Sequence, residues 1–160
     1  MADQRHFSSS QTIHWPTEYA YIVNMLKGLD LNGQPSHDPL YRYNTGPVLL
    51  AATIGLAHNR EREVGTSRQE ISTDTFESHR LGNSQSTLAS LILLIALIGT
   101  QDVEMLRPDR EPELIRKFER YAAGGFEYLR GALSTSDDVT GQAVIREEIR
   151  RALSAQSDQI

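Results

Sequence analysis

HNREREVGTSR, residues 58–68, gathers the side chains of this sequence best suited to grip an anion. Arg60, Arg62 and Arg68 carry guanidinium forks that match phosphate or carboxylate oxygens two at a time, and His58 stands at the head of the run. Glu61 and Glu63 alternate with the arginines and cancel much of the field, so a solvated or protein-contact loop fits the run better than a dedicated DNA site. PDREPELIRK, residues 108–117, has the acids and lysine of a metal-dependent nuclease, but such a centre holds its acids on adjacent strands around a cation. Here they open a helix between Pro108 and Pro112, where negative charge complements the helix dipole.

Other chemistry is scarce. The five histidines, at 6, 14, 37, 58 and 79, include no pair at helical metal-ligand spacing. Thr66, Ser67 and Asp74 have no histidine placed by sequence to act as base. Phosphate-loop, dinucleotide and nucleophile-elbow patterns are missing, so the reading is of a protein without catalytic residues, metal or cofactor.

Composition narrows the setting. A chain of 160 residues suits one domain, and its net charge of −5 disfavours wrapping nucleic acid, which leaves local contacts at most. The absence of cysteine excludes disulfides and thiolate chemistry and fits a cytoplasmic location. MADQRHFSSSQTIHW lacks the apolar core of a secretory signal.

The elements that must position the arginines follow from periodicity. Residues 1–15 read as a flexible segment, loosely docked through Ile13 and Trp15, and 154–160 as a flexible tail. The helical domain between them spans 16–153. Helices are expected at about 18–31, 48–58, 74–81, 88–98, 112–133 and in the last quarter, with a short extended piece at 70–72. Leu88 to Ile98, LASLILLIALI, is the most apolar run; at about 16 Å of helical rise it is too short to cross a membrane. The expected fold is an all-α, compact bundle of five to six helices wrapped around this central rod. An aliphatic helix of this kind also suits a symmetric homodimer.

Residues 112–133 place Leu114, Phe118, Tyr121, Ala122, Gly125, Phe126 and Leu129 on one stripe. Two glycines inside such a helix cost about 1 kcal/mol each relative to alanine. Gly125 lies on the stripe and suits close approach of the Leu88–Ile98 helix, while Gly124 lies off it and suits a bend. Phe118, Tyr121, Gly124 and Gly125 therefore form a helix-packing motif, beneath a candidate DNA or partner contact made by His58, Arg60, Arg62 and Arg68.

In order along the chain, GPVLLAATIGLAHNRERE, LASLILLIALIGTQDVEMLRPD and IRKFERYAAGGFEYLRGAL resemble a small family found with bacterial DNA phosphorothioation (Dnd) systems, Dnd system-associated protein 4. The resemblance runs from about Gly46 to Leu133, and its most specific part is Tyr121, Ala122, Gly124 and Gly125 after Phe118 and Glu119. The turn His58 to Glu63 is richer in acid than the family pattern, and Ala123 replaces an asparagine. The resemblance implies a non-enzymatic accessory or regulator of antiphage defence built on sulfur-substituted DNA. Its partners would be other proteins of the system, which modify or cut DNA, and DNA itself. A DNA-binding sensor of phosphorothioated or nicked DNA is the alternative, followed by a divergent metal-dependent nuclease.

Overall fold

A computed structural model describes residues 5–157. In chain order the elements are strand β1 (Thr12–Pro16), helices α1 (Ala20–Leu26) and α2 (Thr45–Ala57), strand β2 (Arg68–Ser72), and helices α3 (Thr73–Glu77), α4 (Ala89–Thr100), α5 (Glu111–Ser134) and α6 (Gln142–Ser157). Short 3-10 turns at Thr17–Tyr19, Val103–Leu106 and Pro108–Arg110 join them.

The fold is mostly helical but not all-α, because β1 and β2 pair into a two-stranded antiparallel sheet. Ile13 faces Ile71 in the register and His14 faces Glu70. Alternation explains the strand: Ile13 and Trp15 are buried while Thr12 and His14 are more exposed. Thus residues 12–15, expected in a loosely docked segment, and Pro16, expected to open the helical domain, form a paired strand on the flank of α5. Trp15 and Tyr19 pack on Phe126 there, with ring centroids 5.9 and 5.5 Å away. Phe7 is also buried, at 1% exposure, whereas residues 1–4 lie outside the described residues. Of the expected tail, 154–157 continue α6 and 158–160 lie outside the described residues.

The centre of the fold is α5, not the aliphatic helix. The 24 residues of α5 pack against α2, α4, β1 and the 3-10 turns that precede it. Its stripe of Leu114, Phe118, Phe126 and Leu129 is fully buried, each such side chain contributing about 1.5–3 kcal/mol of transfer free energy. Helix α4 instead lies at the periphery. Ala89, Ile92, Ile95 and Ala96 face inward, but Leu94 and Ile98 are each 50% exposed.

The close neighbour of Gly125 is accordingly α2. A Cβ on Gly125 would lie 1.6 Å from the Ala51 carbonyl oxygen, so the two backbones are in direct contact. Helix α4 meets α5 one turn away, where Gly99 leaves room for the Tyr121 ring. Helix α6 docks through Ile145 and Glu148, while Val144 is half-buried and Ile149 and Leu153 stay exposed.

Candidate functional site

The residue 58–68 loop is fastened to α5 by backbone contacts that glycine permits. At the end of α2 the His58 N–H donates to the Ile54 carbonyl, and Asn59 takes the left-handed conformation. Arg60 then turns back to donate its N–H to Gly55 at 2.7 Å. Its carbonyl oxygen comes to rest on Gly124, 2.3 Å from where a Cβ would stand. Gly55 in turn faces the Tyr121 carbonyl, which a Cβ would approach to 2.0 Å. Two residues on, Arg62 N–H donates to the Arg120 carbonyl at 3.0 Å. Gly124 therefore seats the loop.

Side chains then leave this backbone in different directions. His58 stacks on Tyr128 with centroids 4.0 Å apart, and its Nε2 lies 3.2 Å from buried Glu148, which also accepts the Tyr128 hydroxyl at 2.9 Å. Burial and the nearby carboxylate push the Tyr128 hydroxyl pKa up. Arg60 lies 5.3 Å over the same ring and lines a 580 Å³ cleft between α5 and α6. Arg62 bonds the Tyr19 hydroxyl and pairs with Glu18 at 2.8 Å and Glu127 at 3.3 Å, so it stitches the loop to two other elements. Its charge is largely engaged inside the molecule.

Arg68 stands apart from the other three, at the start of β2. It lines a 720 Å³ groove together with Arg116, Lys117 and Arg120 of α5 and the turn at Gly65. Three carboxylates share the wall, and each is held: Glu63 by Arg120 at 3.4 Å, Glu113 by Arg110 at 2.9 Å, and Glu119 by His14. Glu61 lies just outside and pairs with Lys117 at 2.9 Å. Arg68 and Arg116 have no carboxylate within salt-bridge distance among the described residues. Arg68 faces Glu119 and Arg116 faces Glu113 electrostatically without a direct ion pair, which leaves these two guanidiniums as the groove's candidate anion contacts.

Glu119 joins the strand to the groove. Its carboxylate accepts the His14 backbone N–H and lies 2.9 Å from the His14 ring Nδ1, which satisfies the outer edge of β1. Burial pushes this carboxyl above its ordinary range, against the pull of the His14 contacts. Sequence reasoning passed over both Arg116 and Glu119. The first was legible in the spacing of Arg116, Lys117 and Arg120 along one helix; the second stood in the motif that carries the resemblance, but its role was hidden because its partner lies over a hundred residues away.

The acids of PDREPELIRK are occupied structurally. Asp109 pairs with Arg107 at 3.3 Å, and Glu111 is buried against Ser8, accepting its N–H at 2.8 Å and its hydroxyl at 2.9 Å. Among the described residues no group of three or more His, Asp or Glu side chains is placed to hold a metal ion. No helix among them is long and apolar enough to cross a membrane.

Fold and site together define a mostly helical protein in which an arginine-bearing loop is mounted on a Gly-Gly helix beside a groove. The sequence matches, over residues 13–159, the family of DNA sulphur modification system-associated protein 4, and the chain belongs to that family. The segments that carried the resemblance are the ones that meet in space, α2 with its loop on one side and the Tyr121–Gly125 turn of α5 on the other. Neither a curated protein nor a solved structure matches the chain.

Proposed function

We propose that this chain is a non-enzymatic accessory or regulatory protein of a bacterial DNA phosphorothioation-linked defence system, and that it acts by binding another protein of that system through the loop 58–68 and the adjoining groove. The reading is carried by the way the loop is held. Gly55 and Gly124 allow its backbone to lie directly on α5, so the groove wall reaches a partner already ordered and little entropy is lost on binding. The acidic residues interleaved with the arginines suit a protein surface of mixed charge better than a phosphate backbone.

Calorimetric titration of the purified chain against each modification and restriction protein of the system tests this. One of them is expected to bind, and the Arg68→Ala/Arg116→Ala double variant to bind it at least about tenfold more weakly, as expected when two charge-assisted contacts are lost. Absence of binding to all of them, or equal binding by the double variant, contradicts the reading.

Arg68 and Arg116 also favour a second reading, direct contact with a DNA backbone. Two neutralised phosphates give a log–log salt slope of about −1.8, or about a tenfold loss of affinity between 50 and 200 mM salt. Fluorescence anisotropy with phosphorothioated and ordinary duplexes measures that slope, and binding that ignores salt removes this reading.

A further inference from the structure

The outer face of α4 is an apolar ridge beside an apolar groove. Leu94 and Ile98, one helical turn apart, are each half exposed. Next to them Tyr41, Leu49, Leu50, Thr53, Leu88 and Leu91 line a 400 Å³ groove whose charged lining residue is Arg42. No charged residue occurs in the sequence between Arg80 and Asp102. Large apolar side chains left in water at this density mark a contact surface.

We infer that this face binds a second copy of the chain, the Leu94–Ile98 ridge of each protomer seated in the Tyr41–Leu91 groove of the other. Three observations select that occupant. A two-fold contact places each surface against itself, so like charges would meet; the stretch from Leu81 to Gln101 has none, and Arg42 is the charged residue of the groove lining, although the chain carries a net −5. Ridge and groove lie side by side on one molecule, sharing Leu91 as a border, which is the self-complementarity an isologous contact requires. Finally, α4 is only about 18 Å long, so its ridge alone falls well short of the ~800 Å² per partner of a stable interface. Filling the groove as well brings the contact toward that size.

Analytical ultracentrifugation of the full chain at micromolar concentration tests the inference. The expected mass is twice 17.9 kDa, little changed by salt because no ion pairs are screened. Leu94→Glu on the ridge, or Thr53→Arg on the exposed edge of the groove, is expected to weaken dimerisation at least about 100-fold by burying a charge. Both positions face solvent in the protomer, so circular dichroism should match the parent, and the melting temperature should fall only by the mass-action stabilisation that the dimer supplies, a difference that shrinks as the parent is diluted. Mixing the two variants is expected to restore a dimer, since one ridge–groove contact is then native and the other pairs opposite charges.

A parent that sediments at 17.9 kDa overturns the inference, as do a Leu94→Glu chain that remains dimeric and a mixture that fails to recover. A monomer that instead forms a one-to-one complex with another protein of the system, lost in Leu94→Glu, would assign the face to that protein and also overturn it. Arg68→Ala/Arg116→Ala leaves the dimer intact, which separates this contact from the loop and its groove.

Discussion

At the scale of single residues, glycines and one buried carboxylate decide how the chain closes. Gly125→Ala would drive a Cβ into the Ala51 carbonyl at 1.6 Å, and Gly124→Ala into the Arg60 carbonyl at 2.3 Å. Backbone cannot rotate away as a side chain can, so each substitution should cost at least about 1–3 kcal/mol, Gly125 more than Gly124. Gly131 in the same helix meets nothing within 4 Å, so Gly131→Ala should instead stabilise by up to about 1 kcal/mol. Thermal melts of the three variants give the ordering, and equal effects would deny the close approach. Glu119 makes a prediction with a definite sign. A carboxyl raised by burial holds its proton more tightly folded than unfolded, so its contribution is present below its ordinary value of 4.5 and is lost as pH rises through the folded pKa. Glu119→Gln keeps an acceptor for the His14 N–H and should flatten that decline, leaving stability at neutral pH equal or higher. Glu119→Ala leaves the N–H without its acceptor and should cost about 1–3 kcal/mol. Urea titrations across this pH range distinguish the two, and a glutamine variant as unstable as the alanine one would contradict the account.

At the scale of elements, α6 is the most thinly attached, and its first turn depends on Asp138. That carboxylate accepts Ala143 N–H at 2.8 Å and both the N–H and hydroxyl of Thr140 at 3.0 and 2.7 Å, bonds that hold its pKa below the ordinary value. A depressed carboxyl stabilises above its ordinary pKa, and that contribution fades as pH falls through the folded value. Asp138→Ala should therefore cost about 1 kcal/mol at neutral pH, as lost helix caps do, and raise hydrogen exchange across 142–153. Unchanged protection there would show that Asp138 does not hold the helix. The elements also differ in how readable they were. Helix α5, expected at 112–133 and found at Glu111–Ser134, has a stripe that only one helical register can bury. Strand β1 was not readable, because two inward residues in five gain their stability from β2 and Glu119, both remote in sequence. Hydropathy points to α4 as the centre because it measures how apolar a helix is, not which helix its neighbours can approach. Ala51 and Gly55 on α2 and Ala122 and Gly125 on α5 set that choice, and α4 keeps Leu94 and Ile98 half in water. The presence of a close contact at Gly125 was legible, its partner was not. Among the contact residues, the loop sequence sets Glu61 and Glu63 beside Arg62 and gives no hint of Glu18 and Glu127, its actual partners on two other elements.

At the scale of the whole molecule, family membership gives the context, association with DNA sulphur modification, and the loop and groove are the surface through which we propose the chain acts. Most charged side chains along the loop are internally paired, so specificity should rest on a few positions: Arg68 and Arg116 in the groove, with Arg60 over Tyr128 on the other side. A chain working by contact should leave supercoiled phosphorothioated plasmid intact in Mg²⁺ or Mn²⁺, and nicking that survives purification would reassign it as an enzyme. The most direct test of the central proposal is the affinity of the parent and the Arg68→Ala/Arg116→Ala chain for the modification and restriction proteins of the system, measured side by side. The account predicts one partner bound by the parent and at least about tenfold loss in the double variant; indistinguishable affinities would contradict it.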